Sequence, residues 1–441
     1  MRTTGRRRRP RSRRTTTTSR SHLREAARAV AIASPLYLLA AVVPRGGLFR
    51  EREYRDVGLY GEYARGLLDG RIPYRDVFVE YPPGAFAVLT PPALLPEDAY
   101  RHGFKVLMAL LGVATLLVAA LILVRLGAGP RRLYGTLVAL ALAPLALGPV
   151  SLNTYDAWPA LLVAAALCAL LYERPVLGFA LLGLAVTAKL YPLALVPLFC
   201  LAVRPQPLLR PLLAFGGTIA VVIGPFALLG WDGLWESFEA QAQRALQVES
   251  LGGAVLLAAD RLGLYEAEVV SGATAAVSRD LAGSLPDALA LVSSLLQLGA
   301  VLLVVWLAAR DRIRGERLVV ATAATVAGVL AFSKFISPQY LIWLLPLVPL
   351  VGAFATALLV AAMVAGRLWF FHYRDVFAGE AIVWLVLARD LLLVALFAVL
   401  ALHLRRSTKI PSSSSSVVQS PLRRRRARGM AAVEGAERRS R

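Results

Sequence analysis

Lysine is nearly missing from this chain. Of its 49 basic residues only four are lysine (Lys105, Lys189, Lys334 and Lys409), and the rest are arginine. Cysteine is scarcer still. Cys168 and Cys200 both lie in apolar segments, so they read as small buried hydrophobes and not as a disulfide. There are four histidines and no Cys/His cluster, so no zinc-type ligand set is visible. A glycine-rich phosphate loop between a strand and a helix is also missing, which argues against a nucleotide-binding site. Charged residues make up 17% of the chain, below the ~25% of a soluble domain.

What fills the chain instead is apolar. Hydrophobic residues reach 57% and mean hydropathy is +0.61. Several runs attain the ~20 residues needed to cross a ~30 Å hydrocarbon core, which predicts an all-α polytopic membrane protein. The apolar segments fall at about 27–43, 103–125, 133–150, 156–172, 176–188, 190–203, 211–229, 287–309, 318–333, 339–352, 354–371 and 381–404. They number twelve if 176–203 is a broken pair. Lys189-Leu190-Tyr191-Pro192 marks the break, where a charge and a helix-breaking proline coincide.

Charge bias selects the broken pair. With the N-terminus in the cytoplasm, the inside loops 125–132, 204–210 and 310–317 are rich in arginine, and only Glu173-Arg174 is neutral. A single helix over 176–203 would put the arginines of 310–317 outside. Two long outer loops follow, 44–102 and 230–286. Residues 27–404 read as the transmembrane domain. Residues 1–26 and 405–441 read as basic cytoplasmic tails, the second disordered and containing the low-complexity tract 411–416. The formal charge of +21 sits largely in these tails. They could be nucleic-acid arms, but no nucleic-acid module accompanies them, so contact with anionic lipid is the better reading. The arginine-rich start is not a cleavable signal, since no small-residue cleavage site follows it.

Unusual polar residues gather on the outer side. Asp56 to Pro83 holds five carboxylates (Asp56, Glu62, Asp69, Asp76 and Glu80) and four tyrosines (Tyr60, Tyr63, Tyr74 and Tyr81). Asp56 reads either as a catalytic base or as the N-cap of a short helix over 58–68. The apolar stripe of that helix would be Tyr60, Tyr63, Ala64, Leu67 and Leu68. Two prolines hold Glu80-Tyr81 in place, which reads either as a site or as a turn alone, and the short proline-rich run 84–96 reads as interfacial. Asp156 opens a helix on the outer side, where capping alone would account for it. Lys189 and Lys334 occur at outer helix breaks. A compact ammonium there suits point contact with a phosphate, with snorkelling to the interface as the alternative. Trp231, Trp235 and Phe238 suit a headgroup belt. After them Gln241, Gln243, Arg244, Gln247, Glu249 and Ser250 form either the exposed face of an interfacial helix or part of a ligand site.

Asp56-x3-Tyr60, Gly70-x2-Pro73-Tyr74 and Tyr81-Pro82-Pro83 together resemble the first outer loop of bacterial glycosyltransferase family 87. Lys189-Leu190-Tyr191-Pro192 and Ser337-Pro338-Gln339-Tyr340-Leu341 agree with that resemblance, which covers roughly residues 50–350. These are polyprenyl-phosphate-mannose-dependent mannosyltransferases of the GT-C superfamily. The resemblance implies about twelve transmembrane helices, with short interfacial helices in the first outer loop. It implies inverting transfer of a sugar, mannose in the family, from a polyprenyl-phosphate donor to a glycolipid or glycan acceptor. The site would lie on the outer face of a bacterial plasma membrane, with both termini cytoplasmic. Asp56 matches the general base, with Glu80 in reserve. Lys189, Arg244 and Lys334 are the candidates for the phosphate. Tyr60, Glu80, Tyr81, Asp156, Tyr191, Glu249, Gln339 and Tyr340 complete the expected substrate contacts.

There are departures. Family members often carry histidine where this chain has Gln339, and Glu80 with Arg244…Glu249-Ser250 looks like a subgroup variant. Another pentosyl or hexosyl donor, arabinofuranosyl included, therefore remains an alternative. Intramembrane charges and a broken helix pair also fit a transporter or lipid flippase. Against that stand the lack of an obvious repeat and the placement of both long loops on one side. No metal ligand is assigned. A divalent cation is left open, because Asp56, Glu80 and Asp156 could hold one without any spacing that specifies it.

Overall fold

Each of the twelve apolar segments falls on helical backbone in the computed structural model, which describes residues 13–43, 55–271, 279–370 and 381–406. Met1–Leu404 form one compact unit. The second unit, Arg405–Arg441, lies outside the described residues apart from Arg405 and Arg406, and so does the expected tract 411–416. The stretch between the last two apolar segments, 372–380, also lies outside them.

The first helix, α1 (Arg13–Val42), starts inside the segment expected as tail. The first long loop, expected on the outer side, carries α2 (Arg55–Leu68) and α3 (Phe86–Ala93). There follow α4 (Tyr100–Arg125), α5 (Pro130–Leu147), α6 (Val150–Asn153), α7 (Ala157–Leu171), α8 (Pro175–Ala188), α9 (Val196–Val203) and α10 (Leu209–Leu229). The second long loop holds α11 (Trp231–Ala242), α12 (Leu251–Arg261) and an antiparallel hairpin of β1 (Glu268–Ser271) and β2 (Arg279–Ala282). The chain then forms α13 (Ser284–Ala309), α14 (Glu316–Ala331), α15 (Val348–Val351), α16 (Ala353–Phe370) and α17 (Val383–Arg406).

Among the described residues, six helices are long and apolar enough to cross a membrane: Ser21–Val42, Glu97–Arg125, Leu209–Leu229, Ser284–Ala309, Ala353–Phe370 and Val383–Arg406. Ala157–Leu171, Pro175–Ala188, Tyr191–Val203 and Pro338–Val351 are shorter. At ~1.5 Å per residue a 15-residue helix covers only about 22 Å, so these do not each span a full core. The break at Lys189 is real: α8 stops at Ala188, Lys189 is extended (φ −161°, ψ 146°), and a 3-10 turn Tyr191–Leu195 leads into α9. The helix expected over 339–352 is instead a 3-10 segment, Pro338–Leu344, followed by the four-residue α15. Prolines at 346 and 349 remove backbone donors that a continuous α-helix would need.

α14 is the buried centre. Fourteen of its 16 residues are buried, many of them alanine, which lets neighbouring helices approach closely. α10 is the opposite case, with Pro211 its one buried residue. It meets α8 through a glycine: a Cβ on Gly183 would stand 2.6 Å from the carbonyl oxygen of Phe215. At the far end Arg317 is 9% exposed, and its guanidinium donates to the carbonyls of Leu307 (2.6 Å) and Leu404 (2.9 Å). It thereby satisfies the otherwise orphaned C-terminal oxygens of both α13 and α17.

The first long loop is folded onto protein. α2 begins at Arg55, so Asp56 sits in its first turn and is not the N-cap expected of a helix over 58–68. Val57, Tyr60, Tyr63 and Ala64 are buried, but Leu68 is 46% exposed and leaves the expected stripe. α2 ends in a Schellman motif: Arg71 N–H donates to Gly66 O, Gly70 N–H donates to Leu67 O, and Gly70 supplies φ +85°. The run expected as interfacial, 84–96, buries Phe86, Val88, Leu89, Pro92 and Ala93 against the bundle. Its approach to α8 is closest at Gly84, where a Cβ would lie 2.4 Å from Thr187 Oγ1 and 2.6 Å from its backbone carbon. Glu80 and Tyr81, a few residues upstream, are thus delivered to the Lys189 break.

Candidate active site

Lys189 occupies the extended joint between α8 and the 3-10 turn, where its backbone N–H makes the last bond of α8, to Ala185 O at 3.0 Å. Its ammonium donates to Asp156 Oδ1 at 2.7 Å. Three aromatic rings surround it: Tyr155 and Tyr340 at 4.8 Å and Trp343 at 5.4 Å from ring centre to nitrogen. The ring faces and the carboxylate compensate a charge that would otherwise be expensive at membrane depth. Asp156 is fully buried at the start of α7, yet its side chain does not cap that helix. The capping role expected of it is corrected. Oδ1 also accepts from Trp343 Nε1 at 2.7 Å, while Oδ2 has no hydrogen-bond partner.

The 3-10 segment explains the aromatic wall. With three residues per turn, side chains three apart eclipse, so Tyr340 and Trp343 stack at 4.3 Å with an 18° tilt. Tyr191 stacks on the other face of Trp343 at 4.0 Å and 6°. A second aromatic group, Tyr60, Tyr81 and Tyr155, meets edge to face with centroids 5.3–5.6 Å apart. Tyr155 also faces the Lys189 ammonium, so this second group adjoins the cage around Lys189.

Asp56 stands in the same electrostatic neighbourhood, with Glu80, Asp156 and Lys189 all acting on it. It is half-buried, and its carboxyl is raised from 3.8 to about 6. Burial is the main cause; the charges of Glu80 and Asp156 add to it and Lys189 opposes it. Tyr60 and Tyr81 are held well above the usual phenol range, first by burial.

Glu80 is 2% exposed and pairs with Arg244 across 164 residues of sequence, joining the two long loops. Gln241 Nε2 donates to the main-chain oxygen of Glu80 at 3.1 Å. Glu80 Oε2 and Arg244 Nε are buried without hydrogen-bond partners, and the guanidinium lies 4.9 Å over the Phe335 ring.

The structure thus brings together Asp56, Tyr60, Glu80, Tyr81, Asp156, Lys189, Tyr191, Arg244 and Tyr340. Lys334 is employed elsewhere: its ammonium donates to Ala242 O at 2.8 Å, at the C-terminus of α11. Burial lowers its affinity for the proton. Gln339 accepts from Ser337 Oγ and is half-buried. Glu249 is buried beside Arg389 and Asp390, and burial raises its carboxyl to about 8. Reading the sequence alone missed Trp343, Tyr155, Arg389 and Asp390. Tyr340 and Trp343 at a spacing of three were the available signal for Trp343. Among the described residues no group of three or more His, Cys, Asp or Glu could hold a metal ion.

Buried carboxylates, a caged ammonium and stacked aromatics gathered at one site can bind a sugar phosphate and move a proton. A family model described as Glycosyltransferase family 87 matches residues 78–338, more than half of the chain. No curated protein matches. Glu80, Asp156, Lys189 and Arg244 lie within the matched span; Asp56 lies before it.

Proposed function

The chain belongs to glycosyltransferase family 87, and from that premise we propose that it transfers a sugar from a polyprenyl-phosphate donor to a cell-envelope acceptor with inversion. Mannose is the sugar that the resemblance to the family implies, and the acceptor is a glycolipid or glycan. The reaction takes place on the outer face of a bacterial plasma membrane. Asp56 takes the proton from the acceptor hydroxyl as that oxygen attacks the anomeric carbon. The bond from that carbon to the phosphate oxygen breaks, and its electron pair leaves on the phosphate.

The observation that carries this reading is the raised carboxyl of Asp56 within the electrostatic reach of Lys189, Glu80 and Asp156. A carboxyl at about 6 is still ionised at pH 7 but is a stronger base than an ordinary aspartate. Lys189 has three N–H donors, of which Asp156 takes one, so it can also meet the phosphate as charge develops there. The unpartnered Nε of Arg244 supplies a second cationic donor. Tyr81 and Tyr340 are half-buried ring surfaces on which a sugar can stack.

The test is transfer by purified protein in nanodiscs supplied with a polyprenyl-phosphate mannose. Asp56→Asn is expected to lower kcat by a factor of about 10² or more, the contribution of general base catalysis. Undiminished transfer in that variant would remove Asp56 as the base.

A further inference from the structure

We propose that Arg389 is a positioning residue that holds Arg244 where the donor phosphate binds, an inference that rests on the phosphate role just given to Arg244. Arg389 lies near the start of α17, a membrane-spanning helix, and is fully buried. Its Nε and Nη2 lie 2.9 Å from Asp390 Oδ1, which is 2% exposed. Nη2 also donates to the main-chain oxygen of Glu249, 140 residues away in sequence. Its guanidinium carbon sits 5.5 Å over the Trp369 ring.

A buried arginine–aspartate pair is a weak device for stability, because apolar residues of the same volume often do as well. What this arginine does that an apolar side chain cannot is grip a particular carbonyl. That carbonyl belongs to the segment 243–250, which carries Arg244. The same segment is tied on two other sides. Val248 N–H donates to Arg279 O (3.1 Å) and Leu281 N–H to Leu246 O (2.9 Å), fastening it to the hairpin. Gln247 N–H donates to Lys334 O (2.9 Å) and Gln247 Oε1 accepts from Ile336 N–H (3.0 Å), fastening it to the stretch before the 3-10 segment. Arg389 adds the hold from the transmembrane bundle. With the segment fixed at three sides, Arg244 projects to Glu80 and retains its unpartnered Nε.

The experiment measures binding of a short-chain polyprenyl monophosphate to the full chain in nanodiscs, in a double-mutant cycle. Arg389→Met and Arg244→Gln are each expected to weaken binding about tenfold, and the double variant no more than Arg244→Gln alone. Arg389→Lys, which keeps the charge and one donor, is expected to fall between wild type and Arg389→Met. It carries the cycle if Arg389→Met does not assemble. Losses that multiply in the double variant would show that Arg389 does not act through Arg244 and would overturn the proposal. So would unchanged binding in the Arg389 variants. Lys189→Gln separates the two layers of the argument. If it weakens binding while the Arg389–Arg244 cycle shows no coupling, the phosphate site stands and only the positioning role is lost. If Lys189→Gln and Arg244→Gln both bind as wild type does, the phosphate reading falls and takes the positioning role with it.

Discussion

Replacing Asp56 with asparagine should cost activity and add stability. A carboxyl that ionises at about 6 in the folded protein and at 3.8 in its ordinary state is destabilised when charged. That difference corresponds to about 3 kcal/mol, and with the side chain only half-buried about 1–2 kcal/mol is the reasonable expectation. The sign follows from linkage. Well below 3.8, at about pH 3, the group is protonated in both states and costs nothing; the cost begins as the unfolded chain ionises through 3.8. As pH rises through about 6 the folded protein must carry a buried charge, and the cost is then complete. Asp56→Asn should therefore unfold at a higher temperature than wild type at pH 7.5, with the gap closing by about pH 3. Wild-type kcat/KM should fall about tenfold between pH 7 and pH 5, whereas a carboxyl at 3.8 would leave it nearly flat. Thermal unfolding in detergent across that range, alongside rate profiles, reads both effects. A flat rate profile together with an asparagine variant less stable than wild type at pH 7.5 would refute the reasoning.

Two further substitutions probe the frame around the site. Gly84→Ala places a methyl 2.4–2.7 Å from Thr187 and must push the loop off α8, carrying Glu80 and Tyr81 with it. Transfer should fall, with a stability loss of about 1–3 kcal/mol seen by thermal unfolding. Arg317→Ala strips two helix C-termini of their donor and should lower stability by about 2–4 kcal/mol while KM for the donor stays put, because Arg317 is remote from the Lys189 cluster. A changed KM in that variant would contradict its purely structural assignment.

Some of this architecture was legible in the residues and some was not, for identifiable reasons. The break at Lys189 could be read because a proline, which disfavours continued helix, coincides with a lone lysine, whose charge is costly inside an apolar run. Asp56 was readable as a candidate base, but its environment was not, since burial and the charge of Glu80 arise only when loop and bundle meet. Counting apolar segments took 339–352 as one helix, because hydropathy does not register the prolines that turn 338–351 into a 3-10 segment and a short helix. That same error hid Trp343, which eclipses Tyr340 at three residues per turn and would not at 3.6. Lys334 looked equivalent to Lys189 by its setting in sequence, yet one caps α11 and the other faces Asp156. Pairs such as Glu80 with Arg244 and Glu249 with Arg389 bridge 164 and 140 residues, and no local pattern announces them.

The most direct measurement is product analysis of purified wild-type protein in nanodiscs with radiolabelled polyprenyl-phosphate mannose, nucleotide-linked mannose as the competing donor, and an envelope lipid extract as acceptor. Transfer from the polyprenyl donor alone is predicted, with release of polyprenyl phosphate and a new glycoside of inverted anomeric configuration. Transfer from the nucleotide-linked sugar, or a product with retained configuration, would contradict the account.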